Sequence, residues 1–161
     1  MILGMTPFTL FHVLLSFIGI GTGLVVLDAL LRRDRREGWT QVFLISTAAT
    51  TITGFMFPIT AFTAALGTGI ISSLVLAVAI AARYVFRMVG RWRGIYVVSA
   101  LVALYLNVFV LVVQAFQKIP AFNVLAPTGT EPVFAITQGL VFALFVAAGF
   151  RALRRPPMAP A

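Results

Sequence analysis

The chain has 161 residues, 61% of them hydrophobic and 10% charged, with a formal net charge of +8 and no cysteine. A soluble domain carries about 25% charged residues, so lipid rather than water must cover much of this surface. The absence of Cys excludes disulfides, thiolate metal sites and thiol redox chemistry, including quinone-linked oxidoreductases that need Cys pairs. The basic residues cap apolar runs and are not interleaved with polar or aromatic contacts, which excludes a nucleic-acid surface.

A helix that crosses a bilayer needs about 20 apolar residues, and five runs meet that need. The first covers residues 7–31. No basic residue precedes it, as a cleaved secretory leader would require, so it is expected to be a retained span. Arg32, Arg33, Arg35 and Arg36 follow, partly neutralised by Asp34 and Glu37. The second run covers 39–57 and is ended by Pro58. Residues 58–69 are uncharged, contain Pro58, Gly67 and Gly69, and are expected to form a tight turn. Without that turn, residues 41–82 would make one uncharged helix of about 63 Å, twice the thickness of a bilayer core. The third run covers 68–86. Arg83, Arg87, Arg91 and Arg93 then mark a second loop, and the fourth run covers 95–116.

The long segment 117–131 carries Lys118, Pro120, Asn123, Pro127 and Gly129 alongside Ile119, Phe122, Val124 and Leu125. It is expected to pack on the protein or lie at the membrane interface. Thr130, Glu131 and Pro132 provide a cap, an acidic first turn and a first-turn proline for the fifth run, 132–152. Arg151, Arg154 and Arg155 close it, and residues 154–161 form a Pro-rich tail. The expected architecture is therefore all-α: a polytopic transmembrane bundle of five spans in a single domain, 1–153.

Eleven of the twelve basic residues fall in the three Arg clusters, and alternating spans put all three on one side, with Lys118 opposite. By the positive-inside rule the N-terminus is outside and the C-terminus inside. The Arg residues suit anionic headgroups of the cytoplasmic face, each worth about 1 kcal/mol near the surface. Trp39, Trp92, Tyr84 and Tyr96 fall at the same boundary, where aromatic rings anchor helices.

Chemistry, if present, must come from a sparse uncharged set in the outer half. His12, the single histidine, lies roughly 9 Å inside the outer end of the first span. It shares a helix face with Ser16, Gly19 and Gly23, and the two glycines allow close helix approach. Ser46, Thr50 and Thr53 share a face of the second span. Asn107 and Gln114 share one on the fourth, and Gln138 lies at a similar depth to His12 on the fifth. If the faces converge, His12, Thr50, Thr53, Asn107, Gln114 and Gln138 form an outer-leaflet polar pocket for a quinone, haem or lipid. The plainer reading is that Ser and Thr bond back to their own helix carbonyls, and that the amides make interhelical bonds of about 0.6 kcal/mol each. Asp28, four residues before Arg32, reads as an ion-pair partner.

No catalytic residue or metal set is identified. One histidine cannot supply bis-His haem ligation within a chain, although His12 with Met56, or His12 from two copies, remains open. One intramembrane acid cannot form a carboxylate dyad, and the Gly19, Gly21, Gly23 pattern lies within a helix, not after a strand.

The stretches TGFMFP (53–58), GRWRGIYVV (90–98) and LYLNVFVLVVQAFQKIPAFNVLAPTGTEP (104–132) resemble a family of short bacterial multi-span membrane proteins. That resemblance implies a bacterial inner-membrane location and no particular chemistry or site. The functional expectation is an integral membrane protein that is not an enzyme: an accessory subunit of a larger complex or a self-associating scaffold, motivated by the Gly-rich face of the first span. The alternatives are a ligand or cofactor binder at His12 and, more weakly, a small channel or transporter using the Thr-rich face of the second span.

Overall fold

The computed structural model describes residues 6–32, 34, 36–58 and 64–154. All regular structure among them is helical: α1 Pro7–Arg32, α2 Glu37–Phe55, α3 Ala64–Ile80 with a π-helical turn Ala81–Val85, α4 Arg91–Lys118, the short α5 Pro120–Asn123, and α6 Pro132–Arg154. α1, α3 with its π turn, α4 and α6 are each long and apolar enough to cross a membrane, which marks the chain as a membrane protein.

α2 is diluted by Thr40, Ser46, Thr47, Thr50, Thr51 and Thr53, yet all but the half-buried Thr51 turn inward. Thr40, Ser46, Thr47, Thr50 and Thr53 are buried, whereas Trp39, Val42, Ile45, Ile52 and Met56 are exposed, Ile45 by 69%. A water-facing helix shows the opposite arrangement. The apolar flank continues along the other helices through Phe11, Leu14, Phe17, Leu74, Leu140 and Leu144.

Neighbouring helices in the chain pack on one another, α1 on α2, α2 on α3 and α3 on α4, and α6 returns against α4. α4 also reaches α1. The core holds Val26, Phe43, Leu44, Tyr96, Leu101 and Leu104, with Ala79, Ala82, Ala100 and Ala103 filling the narrow spaces between helices. Small side chains let backbones approach, and van der Waals contact is what drives association where lipid is as apolar as the core.

Several local features differ from expectation. The third helix ends in a π turn, followed by a left-handed loop with positive φ at Arg87, Met88 and Gly90. Tyr96 is not an interfacial anchor, since it lies one turn inside α4 and is only 2% exposed. Trp39 and Tyr84 are exposed at the Arg-bearing end, and Trp92 stacks on Phe86 at 3.6 Å. The 117–131 segment contains α5, pinned by Phe116–Phe122 and Phe116–Phe134 ring contacts. The backbone carbonyl of Glu131, not Thr130, receives the first α6 amides, from Phe134 and Ala135. The turn expected at 58–69 is shorter than the spacing implied, because residues 64–69, with Gly67 and Gly69, already belong to α3. Residues 59–63 of that turn, the positions of Arg33 and Arg35, and the tail 155–161 lie outside the described residues.

Candidate functional site

α1 turns His12, Ser16, Gly19 and Gly23 onto α2. At its far end, Thr53 donates its hydroxyl to Ala49 O at 2.8 Å, an ordinary i−4 bond of a helical Thr. The hydroxyl hydrogen is then committed, so the same oxygen acts as acceptor toward His12 Nδ1, 2.8 Å away. That assigns the proton to Nδ1 and leaves Nε2 as the imidazole's open position, without a partner among the described residues. Phe57 meets the imidazole edge-on at 5.2 Å and itself contacts Phe8, so the ring is held from two sides. Ser16 donates back to His12 O at 2.9 Å.

About two turns beyond His12, Gly19 sits beneath a polar knot. A Cβ there would lie 3.3 Å from Thr47 Oγ1, 3.4 Å from Ser46 Oγ and 3.7 Å from Asn107 Nδ2. Asn107 donates a long 3.5 Å bond to Thr47, and Ser46 donates to Val42 O at 2.7 Å. Gly23 is tighter still: a Cβ would meet Leu104 Cδ1 at 2.5 Å and Phe43 at 2.9 Å. The glycine face of α1 is therefore consumed within the chain by α2 and α4.

The candidate residues separate into groups and do not line one pocket. His12 and Thr53 pair directly. Asn107 joins Gly19 and Thr47. Thr50 is buried on the same α2 face, but its hydroxyl has no hydrogen-bond partner. Gln138 faces α4 from α6, where Nε2 donates to Phe109 O at 3.2 Å and Oε1 is buried without a partner. Gln114 is exposed. It shares Asn107's face by spacing, but at that height no other helix covers it.

A second polar cluster, at the Arg-bearing end, was not expected. Arg83 projects from the π turn with its side chain only 9% exposed. It pairs with Glu37 at the start of α2, reaches Met88 Sδ at 3.8 Å, and lies over the rings of Tyr84 at 5.7 Å and Tyr96 at 5.3 Å. Glu37, expected to neutralise the neighbouring Arg loop, pairs with Arg83 among the described residues. In that loop Asp28 takes Arg32 at 2.6 Å and Arg36 at 3.6 Å, and Asp34 takes Arg36 at 2.8 Å. Nothing in the spacing of Glu37 and Arg83 announces their pairing. The π turn, which re-aims side chains relative to an α-helix, creates it.

Among the described residues no three His, Asp or Glu side chains gather where a metal ion could sit. The His12 cluster supplies hydrogen-bond acceptors and one open imidazole nitrogen, and in the second cluster the Arg83 charge is already paired with Glu37. No protein-family description, curated protein or solved structure matches the chain.

Proposed function

We propose that the chain is a five-span protein of the bacterial inner membrane, N-terminus outside and C-terminus inside, that works as a self-associating scaffold or accessory subunit and not as an enzyme. The observation that carries this reading is the outer face of α6. Ala135, Gly139, Ala143 and Ala147 recur every fourth residue and are all exposed, and nothing lies within 4 Å of a Cβ built on Gly139. Such a ridge of small residues is the surface on which membrane helices meet closely. It replaces the Gly19–Gly23 face as the basis for self-association, because that face is already filled. α2 counts as the fifth span because its hydroxyls turn inward and its outward face is apolar. The polar interior favours a non-catalytic role, since most of its hydroxyls are spent on their own helix carbonyls.

The test is crosslinking or single-molecule photobleaching of the full chain in bilayers. Gly139→Leu should lower the oligomer fraction, and Gly21→Leu, on an exposed face of α1, should not. A wild-type protein that stays monomeric at all lipid dilutions contradicts the scaffold reading.

The open Nε2 of His12 favours a second reading, a quinone, haem or lipid headgroup bound there. An absorption spectrum and mass spectrum of extracts from gently purified protein test it, and a protein free of chromophore and of co-purifying ligand contradicts it. The Thr face of α2 offers no lumen within one copy, because Gly19, Gly23, Asn107 and Leu104 pack against it.

A further inference from the structure

The second Arg cluster borders an open groove of about 570 Å³ between α3 and α4. Its walls are Leu74 and Val78 on α3 and Ile95, Val98 and Val102 on α4, and Arg91 lines one end. Arg91, Ile95, Val98 and Val102 follow helical spacing, so the guanidinium and the apolar wall belong to one face of α4. Arg91 is exposed and has no carboxylate within ion-pair distance among the described residues, since Asp28, Asp34 and Glu37 are all engaged by other Arg side chains. The helix start beside it has no side-chain cap, because the residue preceding Arg91 is Gly90, and its Trp92 amide is taken by the Val89 carbonyl at 3.1 Å.

We propose that this groove is a specific site for one anionic phospholipid. Its phosphate pairs with Arg91 at the start of α4 and one acyl chain lies along the Leu74–Val98 wall. The inference rests on the reading that the Arg-bearing ends lie at one headgroup layer. Three features favour this occupant. The charge of the groove end is complementary to phosphate, which a guanidinium binds with two parallel bonds. The positive end of the α4 dipole favours the same anion. From Arg91 to Val102 the groove runs roughly 16 Å by helical rise, against about 15 Å for half of a bilayer core. The apolar wall thus spans one leaflet, with the cation where the headgroup belongs.

Native mass spectrometry of the intact protein, titrated with phosphatidylglycerol or phosphatidylcholine of identical chains, tests the site. One phosphatidylglycerol should be retained about tenfold more tightly than phosphatidylcholine, the scale of a single charge-assisted contact. Arg91→Gln should abolish that preference and Arg91→Lys should keep part of it. Val98→Trp should weaken both lipids, and Arg151→Gln, away from the groove, should change neither. Equal retention of the two lipids overturns the proposal, as does equal loss in Arg91→Gln and Arg151→Gln, which would mean diffuse headgroup attraction. Loss of oligomer in Val98→Trp would assign the groove to a second copy of the chain. Recovery of the protein from cells without detergent would instead defeat the underlying membrane reading.

Discussion

His12 Nδ1 and Thr53 Oγ1, 41 positions apart, lie 2.8 Å from each other and join the first turns of α1 to the last turn of α2. Because Thr53 has already committed its hydrogen to Ala49 O, the bond sets the imidazole tautomer as well as the helix register. Thr53→Val should cost about 0.6 kcal/mol, the average for a hydrogen bond between membrane helices. Reversible unfolding in mixed micelles measures that cost. Nitrogen NMR of the ring should show protonated Nδ1 in the wild type and a mixture of tautomers in the variant. Unchanged ring signals would contradict the assignment.

Gly23 and Gly21 differ by two residues and should respond in opposite ways. A methyl group at Gly23 collides with Leu104 and Phe43, both fixed in the core, whereas at Gly21 it meets nothing within 4 Å. Gly23→Ala should destabilise the bundle by about 1–3 kcal/mol, as overpacking does. Gly21→Ala should be neutral or stabilising by up to about 1 kcal/mol through helix propensity. Thermal unfolding of the two variants in the same detergent provides the comparison.

Glu37 holds a guanidinium that the fold has largely removed from solvent. Glu37→Gln leaves Arg83 short of its charged partner and should cost about 1–3 kcal/mol, the scale of a hydrogen bond to a charged group. The double variant Glu37→Gln with Arg83→Leu should recover much of that loss, because an apolar side chain removes the need for a partner. Additive losses in a double-mutant cycle would show that the two side chains do not act on each other.

The helices were legible as apolar runs, with boundaries set by Pro58, Arg32 and Pro132. The folded starts and ends move by only a few residues, because lipid-length apolar runs admit little else. The covered face was legible for α1, through Gly19 and Gly23, and for α2, through Ser46, Thr50 and Thr53, but not for α4 and α6. Gln114 and Asn107 share a face by spacing, but only Asn107 meets another helix. Ala135, Gly139, Ala143 and Ala147 are plain in the sequence, and their exposure depends on α6 packing through Phe134, Gln138, Phe145 and Ala152. In a bilayer both faces of a helix can be equally apolar, so hydropathy does not mark the inside. Arg83 was grouped with the surface cations because a π turn leaves no signature in residue spacing.

Glu131 closes the loop before α6. Desolvation pushes its carboxyl up, but bonds donated by the Thr128 amide and hydroxyl and the Thr130 amide outweigh that and hold it below the ordinary carboxylate value. A depressed folded pKa means the carboxylate stabilises the turn at any pH above its unfolded value, and that contribution disappears as pH falls through the folded value. Protection factors at the Thr128 and Thr130 amides, corrected for the intrinsic pH dependence of exchange, should therefore fall only on acidification below the ordinary carboxylate range. Glu131→Gln should remove that pH dependence, and protection that is flat with pH in the wild type would contradict it.

The most direct test of the account is whether α2 crosses the membrane. The chain contains no cysteine, so Gly38→Cys, in the first turn of α2, and Pro58→Cys, just past its end, each give a single reactive label. Both positions are exposed, and a Cβ at Gly38 meets nothing within 4 Å. With a membrane-impermeant maleimide on intact bacterial spheroplasts, Pro58→Cys should label at once and Gly38→Cys only after the membrane is opened. Labelling of both positions from the same side would place α2 along the membrane surface and contradict the five-span bundle.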